Sequence, residues 1–328
     1  MSPLDTSSCE TEPIRYPGAV QPHGALLVLD SDQRTIEAAS DSCQTMLGLS
    51  AESLLGRRIG LVVGWEAETA LLAPQTEGLE PLVPLEINGT AFYARSSMND
   101  AGLIVVDIEA AHQDAATIRR LIYNCRRDLA HLRRLNDIPE ITQSATEMIR
   151  DITGFDRVML YRFDEAWNGA VIAEARADDI EPYLGLNFPA SDIPRQAREL
   201  FQLSKVRMIP DVCYTPSGLI ARREARSIDL GRSCLRSVSP IHIEYLTNMA
   251  VRSTMVGALV VEGGLVGAGL VPEHARDPVL RSGRARHAGL DVRRHRRLDR
   301  GDPDPATARA GIWLGPAPPS AGRCDGGA

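Results

Sequence analysis

"NFPASDIPRQARELF", residues 187–201, sets one carboxylate, Asp192, between two prolines at the mouth of a helix. The residues before Pro194 must stay extended, and Pro194 itself suits a first helical turn, where a missing N–H costs little. Ser191 or Asp192 is placed to cap the free N–H groups of that turn. Taken alone, the stretch is a well-made helix start, and its further meaning depends on what the rest of the chain brings to it.

The chain has 328 residues, enough for two modest domains, and 44% of them are hydrophobic, ordinary for a protein with a real core. Apolar runs such as "LIVV" (103–106) and "MVGALVV" (255–261) are too short to span a bilayer. No basic, apolar, small-residue export pattern opens the sequence, so the chain is expected in the cytoplasm. Cys9, Cys43, Cys125, Cys213, Cys234 and Cys324 are scattered without a C-x-x-C pair, which indicates neither a disulfide framework nor a zinc site. A net charge of −7 argues against a general nucleic-acid binder. From residue 273 onward 11 arginines face 7 acidic residues, so that segment carries about +4 and the rest about −11. It is rich in Gly, Pro and Ala and poor in large apolar groups, a composition that cannot offset its chain entropy by burial.

Residues 1–17 are polar and proline-punctuated and read as an arm. "GALLVLD" (24–30) and "RTIEAAS" (34–40) read as strands, and "DSCQTMLGL" and "SAESLLG" as short helices. Residues 81–110 supply strands around the turn signals "NG" and "NDAG". Short helices inserted in a small antiparallel sheet make an α+β sensor-type domain over 18–111. Over 112–135, apolar residues at 118, 121, 122, 125, 129 and 132 have helical spacing, which predicts a connecting helix. "IPEITQSATEMIRDITG" (138–154) is a second amphipathic helix stopped by Gly154. "FDRVMLYRFD" (155–164) and "GAVIAEAR" (169–176) pair as a hairpin, "VRMIPDV" (206–212) is a strand, a helix starts at Ser239-Pro240, and "MVGALVVEGGLV" is a final strand and turn. This second α+β domain covers 136–270, and 271–328 is a low-complexity tail.

His242, Tyr245 and Met249 lie on one helical face at i, i+3 and i+7. Tyr161 and Phe188 are aromatics near element ends, and Arg207 and Arg236 are single basic residues at strand-like or loop edges. With Asp192 they would build a pocket with an aromatic wall, one carboxylate, one His and two Arg. Such a pocket suits a large, flat, apolar ligand carrying carboxylates, which the guanidinium fork matches, with the Asp meeting N–H groups in the ligand's middle. Each residue also has an ordinary structural role: a core tyrosine, a solvated arginine, a methionine filling a gap, and in Cys9 a spare thiol.

Four separated stretches, "YPGAVQPHGALLVLD", "FDRVMLYRFD", "FPASDIPRQARELF" and "RSVSPIHIEYLTNMAVRSTM", together resemble a bacteriophytochrome photosensor over roughly residues 9–265. The resemblance implies a PAS domain followed by a GAF domain, each an antiparallel sheet with flanking helices, tied by a knot in which the N-terminal arm threads a GAF loop. It implies biliverdin IXα, a linear tetrapyrrole, as cofactor, and red/far-red photoreception by isomerisation of its C15=C16 bond with rotation of the D ring. Cys9 would be the thioether attachment site. Plant-type relatives attach the pigment just after the GAF histidine, where this chain has Ile243. Asp192, Ile193 and Pro194 belong to the motif that meets the pyrrole nitrogens, and His242 would pack on the rings. Arg207, Arg236, Ser239, Ser253 and Thr254 would serve the propionates and their surroundings, and Tyr161, Phe188 and Tyr245 would surround ring D, with Met249 nearby.

The chain departs from the family after residue 262. A W-G-L and His-rich stretch with a closing helix is expected there, and the chain reads "GGLVGAGLVPEHARDPVLRSGRARHAGL" instead, with His274 as the sole positional candidate for a late ring-D histidine. A reading-frame change near 262–266 would account for it. Val256 stands where a hydroxyl residue is usual. Neither a PHY domain nor a histidine-kinase core is present in the sequence, so no output domain is expected, and no catalytic or metal site. A homodimer through the 112–135 and 138–154 helices is the expected protein partner. Two other readings stand beside the photosensor: a PAS–GAF scaffold fragment without pigment, and an enzyme using Asp192 and His242 as acid and base. The last lacks any nucleophile–base or metal constellation.

Overall fold

The structure is a computed structural model and describes residues 12–30, 32, 34–73, 80, 82–111, 115–222, 224–261 and 264–274, with positions 273 and 274 described by backbone alone. Strands β1 (Ala19–Val20), β2 (Gly24–Leu29), β3 (Ile36–Ser40), β4 (Val83–Ile87), β5 (Thr90–Met98) and β6 (Ile104–Ala110) come first, with helices α1 (Ser42–Leu47), α2 (Ala51–Leu54), α3 (Gly60–Val63) and α4 (Trp65–Leu71) inserted after β3. Helices α5 (Ala115–Leu132) and α6 (Ile138–Thr153) follow. The second half holds β7 (Arg157–Phe163), β8 (Gly169–Arg176), β9 (Asn187–Phe188), α7 (Arg195–Leu203), β10 (Val206–Ile209), β11 (Ser217–Ala221), α8 (Pro240–Asn248), β12 (Val251–Val261) and β13 (Gly264–His274).

Two antiparallel sheets result. The first is ordered β1-β11-β3-β2-β6-β5-β4 and the second β10-β12-β13-β7-β8-β9. Strand β2 is buried at all six positions because both faces of its sheet are covered, the condition that a continuous apolar run signals. On one face Leu27, Leu29 and Ile36 pack with Leu47, Leu54, Ile59 and Leu71 of the short helices. On the other, Leu26, Val28, Leu103 and Val105 meet Ile228, Leu230 and Leu235 from the second half. Each such leucine contributes about 1.5–3 kcal/mol on burial. The β4–β5 turn uses Asn88 and Gly89 at φ 51° and 76°, the left-handed pair that a two-residue hairpin needs.

The arm lies between β11 and the segment 229–239. The Leu219 N–H donates to the Gly18 carbonyl, the Gln21 N–H to Leu235 and the Ser237 N–H to Ala19. Arg15 pairs with the buried Asp229, and the Ser239 hydroxyl meets the Glu12 carboxylate. Strand β13 runs four residues past the sequence-expected domain end at 270, paired to β12 throughout and to β7 over Gly267–Leu270. Residues 275–328 lie outside the described residues.

Candidate functional site

Residues on one face of the second sheet line up across its strands. Cross-strand partners point to the same side, so register fixes the rows. Arg207, Val256, Leu270 and Met159 form one row, and Ala268, Tyr161 and Val171 form the next. Ile209 and Thr254 pair at the β10 end. The opposite face packs Met255, Val271, Val158 and Phe155 against Ile149 of α6. An apolar floor is thus left on the Arg207–Tyr161 face, bordered by α7, α8 and the segment 183–193.

One end of the floor is cationic. Arg207 donates to the Arg236 carbonyl at 2.7 Å, and Arg236 donates to the Ile14 carbonyl at 2.6 Å. The buried Nε of Arg236 has no hydrogen-bond partner among the described residues. Burial lowers the Arg207 guanidinium to about 10 and pushes Arg236 well below the usual arginine range, with Arg207 adding to the latter. Burial, then the two guanidiniums, drive His242 down to about 4. His242 nevertheless exposes surface. Its ring is thus surrounded by protein at close range and open to solvent on one side, and solvent screens the effect of the two guanidiniums. The helix carrying it starts with Ser239, whose hydroxyl accepts from the His242 N–H at 3.4 Å, followed by Pro240, as the sequence indicates.

The other end is aromatic and carries a lone carboxylate. Tyr161, 3% exposed, lies 5.4 Å from Phe163 and 5.9 Å from Phe188, and Phe188 lies 6.5 Å from Tyr183. Ile193 packs into this cluster. Tyr161 depends on Gly169, because a Cβ there would fall 1.7 Å from its ring. Burial, and then the charge of Asp192, raise both Tyr161 and Tyr245 to about 12, which puts the carboxylate near both phenols. Asp192 is raised by burial, and no described side chain hydrogen-bonds or pairs with its carboxylate. His242 and Tyr245 stack at 6.0 Å and 15°, joining the two ends along α8.

The motif 188–194 differs locally from its sequence reading. Ala190–Asp192 form a 3-10 turn, Pro194 occupies the cap position with φ −62° and ψ 158°, and α7 starts at Arg195. Neither Ser191 nor Asp192 caps the helix. The guanidinium of Arg198 instead gathers the turn's carbonyls, donating to Ile193 at 2.6 Å and Ala190 at 3.3 Å, so Asp192 is left facing the floor.

The structure therefore brings together Tyr161, Phe188, Asp192, Ile193, Arg207, Arg236, His242, Tyr245 and Thr254, with Ser239 and Pro194 in the turns that orient them. Ser253 stands apart: it is two residues from Met255 on β12 and shares its α6-facing side, opposite to Thr254. Met249 is the C-cap of α8 and 36% exposed, beyond the last helical residue. Cys9 lies outside the described residues, and His274 is described by backbone only, opposite Val251.

Sequence reasoning missed Tyr183 and the pair that places it. Arg157 and Glu174, 1% and 3% exposed, approach to 3.4 Å. Arg157 lies 3.7 Å over the Tyr183 ring, and Glu174 accepts from the Tyr183 and Leu184 N–H groups at 2.9 and 3.1 Å. An arginine in an apolar strand, two residues before Met159 on the site face, is the one signal the sequence offered.

Comparison with known proteins agrees with this geometry. Residues 9–111 match the PAS fold family and 137–278 the GAF domain family. The chain is 38% identical to a bacteriophytochrome of Pseudomonas aeruginosa over 81% of its own length and 37% of that protein's. It is 39% identical to a bacteriophytochrome of Xanthomonas campestris over 89% of its own length and 46% of that protein's. It spans less than half the length of these curated relatives. The chromophore-binding domain of Stigmatella aurantiaca phytochrome P1 superposes with a TM-score of 0.75 at 40% identity, covering 81% of this chain and 91% of that one. The chromophore-binding domain of an unusual bacteriophytochrome from R. palustris gives 0.71 at 31% identity, covering 86% and 95%. With two sheets, two family matches and whole-domain superposition in agreement, this chain belongs to the phytochrome family, as a PAS–GAF module.

Proposed function

We propose that the module binds biliverdin on the Arg207–Tyr161 face and serves as the light-sensing part of a cytoplasmic red/far-red photoreceptor. The observation that carries this is a pair of guanidiniums at one end of an apolar floor, Arg236 buried and Arg207 half-buried, with Arg236 Nε unpartnered and neither guanidinium in an ion pair among the described residues. A buried cation without a direct ion-pair partner is costly, and a dicarboxylate ligand would offset that cost. The residues fit such a pigment: Arg207 and Arg236 for carboxylates, His242 and Tyr245 as a flat wall, Asp192 as acceptor for N–H groups, and Tyr161, Phe188 and Tyr183 as a cage. Bound there, biliverdin would supply light absorption and isomerisation of its C15=C16 bond, with rotation of the D ring.

Each side chain has a distinct task in this reading. The guanidiniums anchor the propionate end and fix which way the pigment lies. A neutral His242 can both donate and accept, so it can pass or hold a proton beside the pyrroles. The cage limits how far the terminal ring turns. Cys9 is the attachment thiol, its thiolate being the nucleophile. Supporting the expected knot, residues 12–21 contact both β11 and the 229–239 segment. Ile122, Tyr123 and Leu129 of α5 are 49%, 69% and 48% exposed, which favours a homodimer through this helix.

Adding biliverdin to the purified chain tests the reading. A red-shifted, sharpened band that survives denaturant in the wild type and is washed out of Cys9→Ser supports it. An unchanged pigment spectrum favours the scaffold without pigment.

A further inference from the structure

We infer that the β7–β8 turn is a clamp that sets the position of Asp192, with Arg198 and Trp167 as its positioning residues. This rests on the pigment-binding reading above. Arg198 does three things at once: it donates to the carbonyls of Ile193 and Ala190, and its guanidinium lies 4.6 Å over the Trp167 ring. The turn also receives the motif directly. The Ala190 N–H donates to Asn168 Oδ1 at 3.3 Å, and Asn168 is itself tied to Asp164 through its N–H at 2.8 Å and its side-chain amide at 3.0 Å. The 3-10 turn that carries Asp192 is thus held at Ala190 by Asn168 of the hairpin, and at Ala190 and Ile193 by Arg198 of α7, whose guanidinium rests on Trp167 of the same hairpin.

Two features mark the clamp as more than a surface contact. Trp167 sits at φ 67°, a left-handed conformation that a bulky residue keeps only where its surroundings impose it. Its ring lies 5.6 Å from Phe163, which lies 5.4 Å from Tyr161, so turn and aromatic cage are one packed unit. A guanidinium spanning two carbonyls and a ring face cannot be replaced by an ammonium, which offers no planar fork. A shift of the turn would move Asp192 relative to Tyr161 and Tyr245 and loosen the end of the site that restrains the pigment's terminal ring.

Arg198→Lys, Trp167→Leu and the ring-retaining Trp167→Phe test this, first without pigment. Amide exchange at Ala190 and Asp192 is expected to quicken about tenfold in Arg198→Lys and Trp167→Leu and to stay near wild type in Trp167→Phe. Loaded with biliverdin to equal stoichiometry, the first two are expected to lose about half or more of the pigment's fluorescence, because a looser cage opens a non-radiative exit, and Trp167→Phe to restore it. Unchanged exchange in Arg198→Lys overturns the clamp. So does faster exchange with unaltered fluorescence, which would leave the turn without influence on the site. If Trp167→Leu fails to fold, Arg198→Lys and Trp167→Phe decide by the same criteria. A wild type that takes up no biliverdin defeats the functional reading alone, and the exchange result then decides the clamp.

Discussion

His242 takes its proton at about 4 in the folded chain, against 6.5 for an ordinary histidine, because burial and two guanidiniums oppose it. Between those values the unfolded chain binds more protons than the folded one, so stability falls as pH drops from about 6.5 toward 4. His242→Gln is expected to flatten that slope, read from denaturant midpoints across the pH series, and the ring's contact with solvent keeps the effect modest. Neutralising Arg207 and Arg236 with a bound dicarboxylate is expected to raise the His242 pKa, visible in its imidazole NMR titration. Gly169 carries a second prediction. A methyl on its Cα would fall inside the Tyr161 ring, so Gly169→Ala is expected to displace that ring and cost about 1–3 kcal/mol in urea unfolding. Asp192 shows where residue-level reading falls short. Ser and Asp between prolines look like a cap, and nothing in the sequence reveals that Arg198, three residues into α7, takes the turn's carbonyls instead.

Elements with a local signal were legible in the sequence. The "NG" turn, the hairpin 157–176, the Gly154 stop of α6 and the Ser239-Pro240 start of α8 all form where the residues indicate, because each depends on neighbours within a few positions. Strand β11 carried no such signal. Its five residues sit in a loop-like context, and they become a strand by pairing with β3 and β1, far away in sequence. Tyr183 is likewise a loop aromatic without periodicity, ordered by Arg157 and Glu174. Breaking that buried pair strands a charge, so Arg157→Met is expected to cost about 3–5 kcal/mol, and a double substitution with Glu174→Leu to recover much of it in thermal unfolding. Ser239→Ala removes the cap of α8 and the tie to Glu12 together, a loss of about 1 kcal/mol or more by the same measurement.

At the scale of the whole molecule, the two sheets are bound by chain exchange. The second half supplies β11 to the first sheet and Ile228, Leu230 and Leu235 to its outer face, while the arm closes beside Arg236. A displaced arm would therefore be felt at the cationic end of the site. The sequence made the two α+β units visible through periodicity, and their interlocking was carried only by the family resemblance, since pairings between segments so far apart in the chain leave no local mark. Exposed Ile122, Tyr123 and Leu129 on α5 predict that Leu129→Arg shifts a dimer toward monomer in sedimentation. Pigment binding in this module depends on a floor with cations at one end and a caged ring at the other. Comparing biliverdin with its dimethyl ester, whose carboxylates are masked, tests that arrangement most directly. Binding of the ester is expected to be weaker by about tenfold or more in the wild type, with the difference largely gone in Arg207→Ala. Equal affinity for acid and ester in the wild type would contradict it.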